Sequence, residues 1–358
     1  MESSVTERAN ADSSREGEND PLRGYGREEL HGFLRRMLLF RRFEEKAEEA
    51  YAIGKIGGFC HLHIGQEGAA EGCIGPLRDD DYVVSAYREH TQALAKGLDP
   101  RHVMAELYGR SPGVSAGKGG SMHIFGDQHG FLGGHGIVAG QVPLATGMGW
   151  AIRYREEDRV AMCFMGEAAV NQGAFHESLN MAAVWKLPVI FVVENNEYGM
   201  GTAFSRVSAT RVEERSAAYG IPASVVNGQD VLEVRRHFED LAREVREGGG
   251  PRFVEIRTYR FRGHSMSDPV SGTYRSKEEV EEQKERGDPI TILRDRLFEA
   301  DLLSHEELEA MDQEVRKEVE EAAEFADEAP MPEDGELYTH VYSHINEHGR
   351  LFFDGRDR

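Results

Sequence analysis

Residues 160–202 read VAMCFMGEAAVNQGAFHESLNMAAVWKLPVIFVVENNEYGMGT, and the alternation of apolar and polar blocks in this stretch decides the fold. Val160 to Met165 is an apolar run of the length of one buried strand. It enters a turn that carries a carboxylate, Glu167, and then a helix. A second apolar run, Leu187 to Val193, ends in Glu194, Asn195 and Asn196. Strand, helix, strand in this order is a βαβ unit, so both strands end on one edge of a parallel sheet. Open α/β sheets bind their ligands along that edge. Glu167 and Asn196 are therefore expected side by side. A carboxylate oxygen, an amide oxygen and a nearby backbone carbonyl make a hard-oxygen set suited to Mg²⁺. The expected fold class is α/β: a doubly wound, mostly parallel sheet flanked by helices, with a helical N-terminal extension and a helical C-terminal region.

The stretch resembles the thiamine-diphosphate motif, in which Gly-Asp-Gly is followed, after a gap of this length, by Asn-Asn. Its surroundings resemble the α subunit of the decarboxylating component of 2-oxo acid dehydrogenase complexes. Asn171-Gln172-Gly173, Glu177, Asn180-Met181-Ala182-Ala183 and Trp185-Lys186-Leu187-Pro188 all fit that family. The resemblance spans about residues 28 to 345 and implies two cofactors, thiamine diphosphate and Mg²⁺. It assigns Mg²⁺ to Glu167, Asn196 and the carbonyl of Tyr198. One departure stands out, because Gly166-Glu167-Ala168 occupies the place of Gly-Asp-Gly. Glutamate carries its oxygens one methylene farther, and Ala168 adds a Cβ where glycine lets the backbone approach a diphosphate freely. The expectation is a retained site with altered metal affinity; the alternative is a non-catalytic, cofactor-binding paralogue.

Other segments extend the resemblance. Gly133-Gly134-His135-Gly136-Ile137-Val138 is a glycine-dense loop, a weak signal by itself. By resemblance, Gly136 and Val138 hold the aminopyrimidine ring, and the Val138 side chain enforces the bent form of the cofactor. Ser85-Ala86-Tyr87-Arg88-Glu89-His90 follows an apolar run; a guanidinium binds phosphate with two parallel hydrogen bonds, and resemblance makes Tyr87 and Arg88 diphosphate ligands. Gly166, Ala168 and Ala169 complete that cradle. Alone, Arg88 would read as a surface ion-pair residue. Gly57-Gly58-Phe59-Cys60-His61-Leu62-His63 and Gly65-Gln66-Glu67 supply another active-site candidate; His61 matches a position that lines the substrate side, while His63 does not and reads as structural. His264, in YRFRGHSMSDP (259–269), is a candidate donor to the diphosphate or proton carrier, since imidazole titrates near neutral pH. His61 and His264 are the catalytic candidates. Ser265 and Ser267 lie in a loop that resembles one ordering over the cofactor.

Bulk properties set the frame. The chain has 358 residues, 39% hydrophobic content, 40 glycines and a net charge of −22. That charge argues against nucleic acid or an anionic membrane as partner. No apolar run approaches a membrane span, and the N-terminus shows no signal-peptide core. Three cysteines without metal spacing, Cys60, Cys73 and Cys163, fit a reducing, cytoplasmic compartment.

Along the chain, residues 1–27 read as a disordered polar arm, and 28–345 as one thiamine-diphosphate-binding α/β domain. Leu30, Phe33, Leu34, Met37 and Leu38 repeat at helical spacing. Val231 to Val245 reads as a helix and Arg252 to Phe261 as a strand. A mobile loop leading into a charged helix is expected over about 263–287, and a helical part over 288–345. In that part Ser304 and Glu307 form a capping box ahead of the Leu308, Met311, Val315, Val319 stripe. Leu337, Tyr338, Val341 and Tyr342 suggest a last docking helix, and 346–358 a tail.

The resemblance implies oxidative decarboxylation of a 2-oxo acid with acyl transfer to lipoamide on an acyltransferase partner. A glutamate required for the chemistry comes, in that family, from a separate β subunit. An assembly of two α and two β chains is therefore expected, with this chain inactive alone. RFRGHSMSDP looks most like the pyruvate enzymes; acetoin and branched-chain 2-oxo acid dehydrogenases are the alternatives, and a structural scaffold is the reading from another class.

Overall fold

A computed structural model describes residues 20–339. The chain opens with helix α1 (Arg27–Ala52), whose Leu30, Phe33, Leu34, Met37 and Leu38 are all buried. Each such side chain contributes on the order of 1.5–3 kcal/mol on leaving water. The helix begins where the sequence places it. The preceding turn departs from expectation: Leu22, inside the supposed arm, is buried, and Tyr25 packs edge-on against Phe33 at 5.2 Å. The rest of the arm lies outside the described residues.

Then follow α2 (Glu67–Ile74), β1 (Tyr82–Ala86), α3 (His90–Ala95), α4 (Pro100–Leu107), β2 (Phe131–His135), α5 (Gln141–Tyr154), β3 (Ala161–Gly166), α6 (Gly173–Trp185) and β4 (Val189–Asn195). A two-residue hairpin pairs β5 (Tyr198–Gly199) with β6 (Thr202–Ala203). After it come β7 (Ala223–Asn227), α7 (Val231–Glu244), β8 (Arg252–Arg257), α8 (Lys277–Gly287), α9 (Pro289–Glu299) and α10 (His305–Glu328).

Six strands form one sheet in the order β2-β1-β3-β4-β8-β7, and every neighbouring pair is parallel. This is the doubly wound α/β architecture the sequence implies, with helical regions at both ends. The direction of winding reverses at β1: β2 lies on one side and β3 on the other. Crevices at such switch points, beyond the strands' carboxyl ends, are where ligands bind. The central strands β3 and β4 are buried almost throughout, as continuous apolar runs require.

Two expectations are corrected. The segment 263–287 is loop only as far as Ser276; Lys277–Gly287 is helical, because the Ser276 hydroxyl accepts the Glu279 N–H as an N-cap. Leu337 and Tyr338 are 71% and 68% exposed, on a 3-10 turn (Asp334–Tyr338), so they do not dock. Val341, Tyr342 and the 346–358 tail lie outside the described residues. The Ser304–Glu307 capping box is present at the start of α10. No helix among the described residues is long and apolar enough to cross a membrane.

Candidate active site

The carboxyl ends of four strands converge on one cavity of about 640 Å³. Past β1 lie Tyr87 and Arg88; past β2, Gly136 and Val138; from the end of β3, Gly166, Glu167, Ala168 and Ala169; past β4, Asn196 and Tyr198. His61, before α2, and His264, after β8, close the remaining side. The catalytic, cofactor-binding and metal candidates named from the sequence thus line the same space.

Glu167 is 2% exposed. Burial raises its pKa; its own N–H and that of Asn196 act against the shift, while Arg260 and Arg88 reach it only through space. A buried carboxylate held this way, beside an amide oxygen, is disposed to take a cation. Asn196 is oriented by two contacts: its Nδ2 donates to Gln66 Oε1 at 3.2 Å, and its Oδ1 accepts from Arg260 Nε at 3.4 Å. Among the described residues no cluster of three His, Cys, Asp or Glu forms a metal site; this set uses one carboxylate with neutral oxygens.

Arg88 is buried, and burial lowers its pKa to about 10. Its two terminal nitrogens donate to the carbonyls of Leu62 (2.6 Å) and His264 (2.7 Å). The rings of His61, Tyr87 and His264 cluster, with centroids 4.6 Å (His61–Tyr87), 5.1 Å (His61–His264) and 5.7 Å (Tyr87–His264) apart. Burial, followed by the charge of Arg88, lowers the pKa of His61 to about 2 and that of His264 to about 3. Both imidazoles are neutral at ordinary pH. The backbone N–H of His264 donates to Asp268 (2.8 Å), and Asp268 also accepts from the Tyr274 hydroxyl (2.7 Å).

Gln66, from the Gly65-Gln66-Glu67 segment of the active-site candidate, lies here, while Gln141 and Arg260 were not singled out from the sequence. Gln66 and Gln141 line the cavity with buried amide atoms, Nε2 and Oε1, that have no hydrogen-bond partner among the described residues, as is true of His61 Nδ1. Leaving such an atom unsatisfied costs about 1–3 kcal/mol, so three of them around one cavity point to a ligand or water. Arg260 is wholly buried and donates to Met200 O (2.7 Å) and the Tyr274 hydroxyl (3.0 Å). His63 proves structural: its ring sits between Glu194 (3.0 Å) and Thr91 (2.7 Å).

The sequence profile of the family described as "Dehydrogenase E1 component" matches residues 35–334. The chain is 51% identical over 317 residues to the pyruvate dehydrogenase E1 component subunit alpha of Zymomonas mobilis, covering 88% of this chain and 89% of that protein. It is 50% identical over 308 residues to the protein of the same name from Rhizobium meliloti, covering 86% and 88%. It is also 45% identical over 317 residues to the mitochondrial protein of that name from Sminthopsis macroura, covering 88% and 86%. Identity at this level over nearly the whole described chain, with the expected motifs drawn together around one cavity, means that the chain belongs to the dehydrogenase E1 component family.

Proposed function

We propose that this chain is the α subunit of a pyruvate dehydrogenase E1 component, which decarboxylates pyruvate oxidatively with thiamine diphosphate and Mg²⁺ and hands an acetyl group to a lipoyl-bearing acyltransferase. The observation that carries it is the convergence of the β1, β2, β3 and β4 ends, with His61 and His264, on one cavity. The names of the relatives support pyruvate over acetoin or branched-chain substrates. The three cysteines are free and buried, in keeping with a reducing, cytoplasmic setting.

The residues present fit the cofactor. Glu167, Asn196 and the Tyr198 carbonyl would hold Mg²⁺. Tyr87, Arg88, the Ala168 and Ala169 backbone and His264 would hold the diphosphate, with Gly136 and Val138 along the aminopyrimidine. Ala168 sits in a 3-10 turn and is not among the residues with positive φ, so its N–H remains available as a donor. When bound, thiamine diphosphate supplies the electron sink for loss of CO₂. The chain's own residues position and shield. Arg88 and Arg260 bring positive charge that attracts the anionic group; burial, reinforced by those charges, holds His61 and His264 neutral. A neutral imidazole accepts or donates a hydrogen bond according to its tautomer, so these rings serve the 2-oxo acid as hydrogen-bonding partners; with pKa values this low, the proton-carrier reading of His264 loses its footing.

The family implies a β-subunit partner; an assembly of two α and two β chains is part of the proposal. Two features support a docking face beside the site. Ile137 is 79% exposed and Val138 44% exposed at the cavity rim. Helices α5 and α6, packed together, leave Leu144, Trp150, Tyr154, Met181, Val184 and Trp185 exposed, an apolar surface of the kind that marks an interface.

The test is co-expression with the β chain and assay of CO₂ release from pyruvate, 2-oxoisovalerate and acetoin with an artificial electron acceptor. Calorimetric titration of thiamine diphosphate with and without Mg²⁺ accompanies it. Metal-dependent binding and preference for pyruvate support the reading. An assembled complex that binds no cofactor would identify a non-catalytic paralogue.

A further inference from the structure

Residues 60–66, CHLHIGQ, run between α1 and the loop after β8. The amides on one side and the carbonyls on the other have separate partners. The N–H of His61 donates to Ser121 Oγ (3.2 Å) and that of His63 to Glu44 Oε1 (2.8 Å). The carbonyls of Cys60 and Ile64 accept from Met266 N and Phe261 N, both at 2.9 Å, and that of Leu62 accepts from Arg88. His264 therefore hangs between two attachment points, Phe261 and Met266, and its own carbonyl is tied by Arg88. Gly65 closes the segment: its φ is +99°, and a side chain there would meet the Tyr259 carbonyl at 2.5 Å.

What fixes the segment on its other side is one carboxylate. Glu44 projects from α1 and is fully buried. One oxygen takes the His63 N–H; the other takes His90 Nδ1 at 2.7 Å, and His90 Nε2 lies 2.8 Å from Ser121 Oγ. Ser121 returns to the His61 N–H, so the path from Glu44 closes on both sides of Leu62. The order carboxylate, imidazole, hydroxyl is that of a hydrolytic triad, yet Ser121 is 3% exposed and its oxygen faces a backbone amide. The arrangement holds the chain in place.

We propose that Glu44 is a positioning residue for the active site, acting through the His63 amide and the His90–Ser121 pair to hold residues 60–64 in the register from which His61, Arg88 and the His264 loop are placed. The inference rests on the functional reading above for its catalytic consequence, and on the geometry alone for its mechanical one.

The test uses the assembled αβ complex carrying Glu44→Gln, which sets an amide N–H against His90 Nδ1, and separately Ser121→Ala, which cuts the link at its other end. Hydrogen exchange, read by mass spectrometry across 59–66 and 259–268, reports the amides of His61, His63, Phe261 and Met266. Both variants should exchange faster in both segments: about tenfold or more for Glu44→Gln, where bonds to a carboxylate are weakened, and about threefold or more for Ser121→Ala, where bonds between neutral groups are lost. With pyruvate, kcat should fall about tenfold or more while KM changes less than about twofold, the pattern of an interaction felt mainly in the transition state. Unchanged exchange at 259–268 in both variants overturns the proposal, as does faster exchange with full kcat. If Glu44→Gln fails to assemble, Ser121→Ala decides the same question. If the wild-type complex decarboxylates no 2-oxo acid, the functional reading falls, and the exchange data alone decide whether Glu44 holds the loop.

Discussion

The Cβ of Ala168 lies 2.7 Å from the point where a side chain on Gly199 would begin. The two positions share one small space, on the turn after β3 and the hairpin after β4. Alanine is accommodated at 168 because residue 199 has none of its own volume there. Gly199→Ala should overpack this contact and cost about 1–3 kcal/mol, read as a lower thermal midpoint. Adding Ala168→Gly should restore most of the loss. A double variant no better than the single one would show that the positions are independent.

Glu167 sets stability against binding. Glu167→Ala should weaken Mg²⁺-dependent binding of thiamine diphosphate about a hundredfold or more, by analogy with the 10–100-fold effect of losing even an outer-shell partner. The same change should raise the thermal midpoint of the ligand-free complex, because it removes a buried carboxylate without an ion-pair partner. Calorimetry and thermal unfolding must move in opposite directions; parallel movement would refute this account.

Glu106 organises the glycine-rich loop before β2. It is fully buried. Its Oε2 accepts from Ser115 N (2.7 Å) and Gly117 N (2.8 Å), and its Oε1 from Gly119 N (2.7 Å) and Gly120 N (3.0 Å). Glu106→Gln places an NH₂ group against two N–H donors. Each stranded amide costs about 1–3 kcal/mol, so the variant should lose at least ~2 kcal/mol in denaturant unfolding. Hydrogen exchange over 113–120 should rise with it.

The two site histidines give a signed pH dependence. Their folded pKa values, about 2 for His61 and about 3 for His264, lie below the roughly 6.5 of an unfolded imidazole. The unfolded chain therefore binds protons that the folded chain refuses. Stability is fully present above pH ~6.5 and is lost as pH falls toward those lower values. The His61→Gln, His264→Gln double variant should show a shallower decline in thermal midpoint over that range. Inorganic pyrophosphate, by neutralising Arg88 and Arg260, should flatten the wild-type curve as well.

The sheet and the cavity were legible because their signals are local. The run ending at Met165 and the one ending at Val193 each announce a strand, and the polar residues after them fall on the sheet's carboxyl edge whatever the remainder does. The start of helix α8 was not placed although Ser276 and Glu279 carry a starting signal, because the polar stretch around them shows almost no apolar period; Val280 is its one buried side chain. Glu44, Gln141 and Arg260 were illegible for another reason. Their partners are tens to hundreds of positions away, and only the packed fold supplies them. Glu44 did leave a trace: it falls on the same helical face as Phe40 and Ala47, both fully buried, where a lone carboxylate calls for a partner.

The exposed aromatic face has a consequence for the life of the chain in a cell. Trp150 and Tyr154 stack at 5.1 Å on the outside of α5, beside the exposed Val184 of α6. A newly made copy carrying that surface bare is a substrate for chaperones and a seed for aggregation until it is covered. On the proposed docking of the β subunit over this face, its abundance follows the supply of that partner rather than its own rate of synthesis, and copies made in excess are the ones cleared.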